Sequence, residues 1–369
     1  MKSKKKVEEI LRLADVTVNG DRLWDIVVHN ENFYNRILSG GSLVLGESYM
    51  DGWWDVVALD QFFYKVFRAD LGKYAITLST VLHSLSAKIF NFQSQSRASQ
   101  VAEKHYNIGN TLYTQMLGPS MAYSCGYWKK AKDLDSAQYA KLDLICRKMQ
   151  LKPGMKILDI GCGWGSFMKF AVEKYGVKAV GVTVSEEQVK LGQKLCAGLP
   201  VEFSLMDYRD IKEKFDRIIS IGMFEHVGPK NYKTFMTVAK NCLVDDGLFL
   251  LHTIGQNTSA TAGNPWIDKY IFPNGLTPSL FQIIKAIEGV FVLKDLHNFG
   301  TDYDLTLMAW FKNFDASWNV IKKDYDERFY RMWKFYLLSC AGLFRARNLQ
   351  LWQFVFSKNG LDEGYESVR

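Results

Sequence analysis

An apolar strand pattern that runs directly into a glycine-rich turn most constrains how this chain folds. The segment reads Leu158-Asp159-Ile160-Gly161-Cys162-Gly163-Trp164-Gly165, followed by Ser166. Glycines placed directly after a strand let the backbone turn tightly and approach a ligand closely. The spacing is G-x-G-x-G, which differs from a dinucleotide fingerprint because Ser166 stands at its last glycine position. The segment predicts a ligand-binding turn between a strand and a helix; the alternative is a glycine-rich turn that binds nothing.

Strand and helix patterns alternate around this turn. Helical patterns cover Phe167–Tyr175 and Ser185–Leu195, between short apolar runs. The predicted strands are residues 156–160, 179–184, 201–206, 217–221 and 248–252. This alternation predicts an α/β fold with a Rossmann-like, doubly wound sheet.

The N-terminal part of the chain has a different pattern. Apolar residues recur at helical spacing from Leu71 to Ile89, and no acidic residue occurs between Leu71 and Ala102. This stretch predicts either a core helix or a helix that meets anionic lipid headgroups, with Lys73 and Lys88 available for the contact. The polar residues 91–104 predict a linker. We therefore expect a mainly helical N-terminal domain at 1–95, serving in lipid docking or dimer contact, and a catalytic domain at 96–369.

Composition excludes several classes of protein. The chain has 369 residues, of which 48% are hydrophobic, and 46 basic residues against 39 acidic ones give a net charge of +7. A membrane span needs roughly 20 apolar residues, whereas the apolar-looking stretch Tyr74–Ala87 has only 14 residues and includes His83. The basic N-terminus lacks the apolar core of a signal peptide, so we expect a cytoplasmic protein. The six cysteines show no C-x-x-C spacing, which favours reduced thiols and no metal site.

The glycine-rich turn, with an acid before its first glycine, resembles motif I of S-adenosylmethionine-dependent methyltransferases. The resemblance places Asp159, Gly161 and Gly163 beside the cofactor's amino-acid end. The second predicted strand lacks the usual terminal acid, but Thr183 and Gln188 offer neutral partners for the ribose hydroxyls. After the third strand come an acid and an aromatic residue, suited to the adenine amino group and ring. These two residues are Asp207 and Tyr208.

A series of further motifs covers nearly the whole chain. They are Tyr49 to Trp54, His105 to Asn110, Tyr123 to Trp128, Gly222 to Pro229, Leu251 to Gly255, Tyr270 to Gly275, Asp302 to Trp310, and the stretch from Ser339 to Gln353. In this order they resemble the bacterial cyclopropane-fatty-acyl-phospholipid synthases. The chain departs from that family's usual pattern at Asn107, where aspartate is common, and at Gly126, where alanine is common.

The resemblance implies a reaction and a site. In that family, S-adenosylmethionine provides a methyl group to a cis double bond, and a bound bicarbonate ion removes a proton so that the ring closes. The implied bicarbonate site consists of Cys125, Glu225, His252, the Ile254 backbone and Tyr303, while Tyr123 and Ser124 are implied at the cofactor. Taken one at a time, these side chains also have structural interpretations: a buried thiol, a helix-start acid, a structural histidine and a core tyrosine.

The expected substrate is the unsaturated acyl chain of a membrane phospholipid, reached by a homodimer bound transiently to the inner membrane surface. Aromatic residues at roughly helical spacing between 318 and 356 predict core packing or a wall for that chain. One alternative is a related lipid C-methyltransferase that gives methyl-branched or hydroxylated products. Another is a nucleic-acid methyltransferase, although no basic cluster with interleaved aromatics supports it. A third is a catalytically inactive lipid-binding relative.

Overall fold

A computed structural model of the protein describes residues 2–71 and 109–369. The predicted helix beyond Leu71, the predicted linker at 91–104 and the motif residues His105 to Ile108 lie outside these ranges. The predicted domain boundary between residues 95 and 96 also lies outside them and stays a prediction.

The described elements alternate between helices and strands through most of the chain. The helices are α1 (Lys2–Arg12), α2 (Phe33–Met50), α3 (Leu59–Arg68), α4 (Asn110–Leu117), α5 (Leu134–Lys148), α6 (Ser166–Tyr175), α7 (Glu186–Leu195), α8 (Tyr232–Cys242), α9 (Pro265–Tyr270), α10 (Leu280–Ile287), α11 (Thr301–Ala316), α12 (Trp318–Ile321) and α13 (Glu327–Arg345). The strands are β1 (Ile26–Val28), β2 (Trp54–Val56), β3 (Lys156–Ile160), β4 (Lys178–Thr183), β5 (Val201–Leu205), β6 (Phe215–Ile221), β7 (Leu243–Gln256), β8 (Val292–Asn298) and β9 (Leu349–Ser357).

The central sheet has seven strands in the order β5-β4-β3-β6-β7-β9-β8. Neighbouring strands from β5 to β7 pair in parallel, and β8 pairs with β9 antiparallel. The strand order reverses beside β3, which is where doubly wound sheets bind ligands at the carboxyl ends of their strands. The predicted Rossmann-like fold is confirmed, and the five predicted strands correspond to β3 through β7.

Two apolar clusters cover the faces of this sheet. One contains Ile218, Phe235 and Phe249, and the other contains Ile157, Met168 and Leu250. Successive side chains of a strand point to opposite faces, so strands covered on both sides are apolar throughout. This two-sided burial explains why the predicted strands read as continuous apolar runs.

The chain divides into two compact units, each built from several segments. Among the described residues, one unit comprises residues 2–71, 261–273 and 303–349, and the other comprises residues 109–260, 274–302 and 350–369. Within the first unit, the Arg331 guanidinium donates to the Trp54 carbonyl at 3.0 Å and to the Asp55 carboxylate at 2.7 Å. This unit therefore joins N-terminal residues to α13 through buried aromatic packing and charge-assisted hydrogen bonds.

The aromatic segment near the C-terminus has two structures. The helical spacing is confirmed for α13, where Trp333 and Tyr336 are buried. It is wrong for residues 349–357, which form strand β9 with Trp352, Phe354 and Phe356 buried. Aromatic residues suit both helical and extended core positions, so their number alone did not separate the two. In the described ranges, every helix is too short or too polar to cross a bilayer.

Candidate active site

Three predicted functional residues lie where adjacent strands of the central sheet end. Asp159 lies in β3, Glu225 lies in a short 3-10 helix just after β6, and His252 lies in β7. Ile221 at the end of β6 is in register with His252, and the Gly222 N–H donates to the His252 carbonyl at 2.9 Å. The β3-β6-β7 order therefore gathers these residues at one edge of the sheet, as the sequence predicted.

Glu225 is buried, and its carboxylate oxygen Oε1 accepts the Ile254 backbone N–H at 2.7 Å. The other oxygen, Oε2, is buried and has no hydrogen-bond partner among the described residues. Burial raises the pKa of Glu225 to about 7. The side chain is thus fixed in orientation, and its pKa lies close to neutral pH. Both properties suit a group that accepts and donates protons in a reaction.

The Ile254 backbone contacts another predicted site residue. Its N–H, which the family resemblance implied at the bicarbonate ion, donates to Glu225 in this structure, and its contact with bicarbonate stays a prediction. The physical reason is proximity, because Glu225 follows β6 and Ile254 lies in the adjacent strand β7. Ile254 accordingly orients Glu225 in this structure.

His252 is held by a residue that the sequence reasoning did not assign. The side-chain amide nitrogen of Gln353, in β9, lies 3.2 Å from His252 Nδ1. With the amide as donor, Nδ1 is the acceptor, and the proton of the neutral imidazole is on Nε2. Burial lowers the pKa of His252 well below its ordinary value, so the ring is neutral. Its Nε2 is buried and has no hydrogen-bond partner in the described ranges. The N–H on this nitrogen is therefore a donor that a ligand could use.

Cys125 lies in a segment that is hydrogen-bonded to residues of α5. Its thiol is fully buried, and Sγ lies 3.2 Å from the Gly126 carbonyl. The Gln138 amide donates to the Ser124 carbonyl at 2.8 Å, and the Tyr127 N–H donates to the Ala137 carbonyl at 2.9 Å. Helix α5 begins at a capping box on Asp133, which fixes where these contacts fall along the segment.

The glycine-rich turn has the shape predicted for a cofactor cradle. Gly161 and Gly163 have φ angles of +83° and +56°, which residues other than glycine rarely adopt. A Cβ added at Gly163 would meet no atom of the described residues within 4 Å, so these residues leave space beside the turn. Asp159 is buried beside it, burial raises the pKa of this carboxyl to about 7, and Oδ1 lacks a partner in the described chain.

The predicted adenosine residues are placed unequally. Thr183 Oγ1 donates to Gln188 Oε1 at 2.6 Å, so these two neutral side chains do lie together. Asp207 pairs with Arg209 at 2.8 Å. Tyr208 packs its ring against Phe235 in the core, with the centroids 5.1 Å apart. Asp207 and Tyr208 therefore have structural partners here, and their contact with adenine stays a prediction.

The remaining predicted residues fall into two groups. The Tyr123 ring packs against Tyr113, which also contacts Trp164 of the glycine-rich turn, at centroid distances of 5.3 and 5.1 Å. Ser124 is buried beside Cys125. Tyr303 belongs to the other compact unit, where its ring lies 4.6 Å from that of Phe344. Its contribution to the site therefore stays a prediction.

The described residues fit both groups that the sequence implies. S-adenosylmethionine carries an ammonium and a carboxylate at its amino-acid end, and Asp159 Oδ1 is a buried acceptor beside the glycine-rich turn, without a partner in residues 2–71 and 109–369. A bicarbonate ion offers an O–H and anionic oxygens, which match Glu225 Oε2 as acceptor and His252 Nε2 as donor. Buried polar atoms are nearly always hydrogen-bonded, so these three atoms of the described chain have the capacity to bind such ligands.

Most of the chain is similar to known proteins. Residues 93–354 match the family model described as mycolic acid cyclopropane synthetase. The chain is 52% identical, over 362 residues, to the cyclopropane-fatty-acyl-phospholipid synthase of Escherichia coli K12, covering 98% of this chain and 94% of that protein.

Solved structures give the same relationship. The cyclopropane synthase MmaA2 from Mycobacterium tuberculosis superposes with a TM-score of 0.67 at 31% identity, covering 70% of this chain and 98% of that one. The mycolic acid cyclopropane synthase CmaA1, complexed with SAH and CTAB, superposes with a TM-score of 0.66 at 32% identity, again covering 70% and 98%.

Proposed function

The chain belongs to the mycolic acid cyclopropane synthetase family, and from that premise we propose that it is a cyclopropane-fatty-acyl-phospholipid synthase. It transfers a methylene group from S-adenosylmethionine to the cis double bond of an unsaturated acyl chain in a phospholipid. The observation that carries the proposal is a set of three buried polar atoms at one sheet edge that have no hydrogen-bond partner among the described residues: Asp159 Oδ1, Glu225 Oε2 and His252 Nε2. These atoms divide into a cofactor half and a proton-accepting half.

In the cofactor half, S-adenosylmethionine supplies an electrophilic methyl group when bound. Asp159 accepts hydrogen bonds from its ammonium, and Gly161 and Gly163 let the backbone approach it. Thr183 and Gln188 are proposed for the ribose hydroxyls, Asp207 and Tyr208 for the adenine, and Tyr123 and Ser124 for the amino-acid end. The alkene is a weak nucleophile, so the rate depends on holding the two carbons in line with the methyl group in a site without water.

In the proton-accepting half, bicarbonate supplies a base that does not bond covalently to the protein. His252 donates from Nε2, Glu225 accepts through Oε2, and the weak thiol donor of Cys125 and the phenol of Tyr303 complete the proposed set. The Ile254 N–H fixes Glu225 at 2.7 Å. Glu225, with a pKa of about 7, is suited to accept a hydrogen bond from the O–H of bicarbonate. It is also suited to accept the proton that bicarbonate removes from the substrate.

The proposed partner is an anionic lipid surface, met transiently by a homodimer at the cytoplasmic side of the membrane. Within the unit that holds Glu225, α10 exposes Phe281 and Ile284 to 69% and 40% on one face. Exposed lysines 233 and 285 lie on α8 and α10, and α8 contains no acidic residue. The loop before α10 is tied to the site, because the Leu276 N–H donates to the Glu225 carbonyl at 2.8 Å. Apolar side chains bordered by lysines suit an anionic bilayer interface.

The test incubates the protein with S-adenosylmethionine, bicarbonate and vesicles of unsaturated phospholipid, followed by mass spectrometry and proton NMR of the lipids. A mass gain of one methylene with cyclopropane proton signals is expected. The same mass gain with olefinic signals would instead identify a lipid C-methyltransferase, and an alcohol signal would identify water capture of the cation. Unmodified lipid in the presence of bicarbonate would overturn the proposal.

A further inference from the structure

A buried lysine lies directly behind the cofactor half of the site. Lys141, in α5, is 1% exposed, and its ammonium donates to Ser124 Oγ at 2.9 Å. One turn earlier on the same helix, the Gln138 amide donates to the Ser124 carbonyl at 2.8 Å. Two side chains of α5 thus fix both the backbone and the hydroxyl of Ser124.

Burying a charged ammonium costs desolvation free energy unless hydrogen-bond acceptors or opposite charges lie close to it. Burial lowers the pKa of Lys141 to about 8, while Cys125 and Asp159 act in the opposite direction. Asp159 is the carboxylate that favours the charged form of Lys141, and Lys141 in turn lowers the pKa of that carboxyl. Lys141 also lowers the pKa of His252. The ammonium therefore acts on groups of both the cofactor half and the proton-accepting half of the site.

The amino-acid end of the cofactor carries two opposite charges that need different partners. Asp159 provides an anionic acceptor for the ammonium, but a neutral serine by itself is a weak partner for the carboxylate. When Ser124 Oγ accepts a hydrogen bond from Lys141, its own proton is free to be donated onward, and the bond it donates is strengthened by the charge behind it.

We propose that Lys141 is a positioning residue that acts through Ser124 to bind the carboxylate of S-adenosylmethionine and to balance the charge of Asp159. The inference rests on the proposed cofactor, and it concerns binding of that cofactor alone. It does not depend on which lipid is modified or on the fate of the carbocation.

The chain offers a matched control in Lys148. It lies two turns later on α5, is fully buried, and has its pKa lowered by burial to about 8 as well. Its ammonium lies 3.2 Å from His297 Nδ1 and 3.5 Å from an Asp295 oxygen, away from Ser124. Lys148→Met thus removes a comparable buried lysine without touching the proposed carboxylate subsite.

The experiment measures binding of S-adenosylhomocysteine by calorimetry to the wild-type protein, Lys141→Met, Lys148→Met, Ser124→Ala and the Lys141→Met/Ser124→Ala double variant. Lys141→Met is expected to weaken binding by about tenfold or more, the range of a hydrogen bond to a charged group. Lys148→Met is expected to bind within about twofold of wild type. The double variant should bind about as weakly as either single variant, because the two residues act as one unit.

The pH dependence adds a result that a purely structural role would not give. An anionic ligand favours the protonated lysine, so the advantage of wild type over Lys141→Met should shrink between about pH 7 and about pH 9. The other titratable groups coupled to Lys141 are Asp159, Cys125 and His252. Wild type and Lys141→Met both contain these groups and bind the same ligand, so the difference between their pH profiles reports on Lys141. Equal affinity of Lys141→Met and wild type, or an equal loss in Lys148→Met, would overturn the inference. Wild-type binding of S-adenosylhomocysteine without lipid modification would contradict the proposed function and leave this inference intact.

Discussion

Replacement of Glu225 by glutamine separates function from stability at this site. The glutamine carbonyl can still accept the Ile254 N–H, which Glu225 Oε1 accepts at 2.7 Å. The change therefore keeps the side-chain volume and its orientation but removes the ionisable oxygen Oε2, which is buried without a partner in the described ranges. We expect turnover to fall by roughly 10²–10⁴-fold, the usual contribution of a positioned acid–base group, while S-adenosylhomocysteine binds as in wild type.

The structure also predicts the effect of this change on folding. The pKa of Glu225 is about 7 in the folded protein, against an ordinary value of 4.5. At about 1.4 kcal/mol for each pH unit, the difference corresponds to roughly 3 kcal/mol. Because the folded state binds the proton more tightly, wild-type stability falls as the pH rises from 4.5 through 7. Glu225→Gln lacks this penalty, so it should be more stable than wild type at pH 8 by up to about 3 kcal/mol and nearly equal to it at pH 4.5.

The measurement is thermal unfolding of the ligand-free proteins across this pH range, alongside lipid turnover. Glu202→Gln is the matched control, since Glu202 is an exposed carboxylate in β5. Its unfolding midpoint should follow that of wild type at every pH, with unchanged turnover. A gap between Glu225→Gln and wild type that does not grow with pH would refute the reasoning on burial. Turnover equal to wild type would refute the assigned role.

Three further expectations test other parts of the site. Gln353→Leu removes the donor that holds His252 Nδ1 at 3.2 Å and should lower turnover by about 10–100-fold, with S-adenosylhomocysteine affinity unchanged in calorimetry; Gln353→Met, which has no donor either, should behave alike, and full activity of both would remove Gln353 from the site. Asp159→Asn should weaken S-adenosylhomocysteine binding and abolish the rise in affinity that we expect of wild type as Asp159 ionises near pH 7; an unchanged pH profile would contradict this. Phe281→Ser should reduce sedimentation of the protein with anionic vesicles, whereas the control Val320→Ser, which changes another exposed apolar residue, should not. Full vesicle binding by Phe281→Ser would place the lipid contact elsewhere.

The strands and the cofactor turn were predictable because their signals are local. Apolar runs buried on both faces and a glycine turn at Gly161 and Gly163 depend on a few adjacent residues. The segment at 349–357 was missed for the opposite reason. Its aromatic residues continue those of α13, and its place in the sheet between β7 and β8, both more than 50 residues away in the chain, makes it a strand.

The electrostatics of the site depend on contacts that no local pattern contains. Glu225 and His252 were selected through family resemblance and their places at strand ends, but the groups that set their protonation were not. His252 is oriented by Gln353, 101 residues away, and Glu225 by the backbone of Ile254, 29 residues away. The sequence signal for Gln353 was its place in a family motif, which gave it no chemical role. Parallel strands place their carboxyl ends at one edge while separating them widely in sequence, so this fold brings reactive groups together from residues whose partners only the assembled sheet determines.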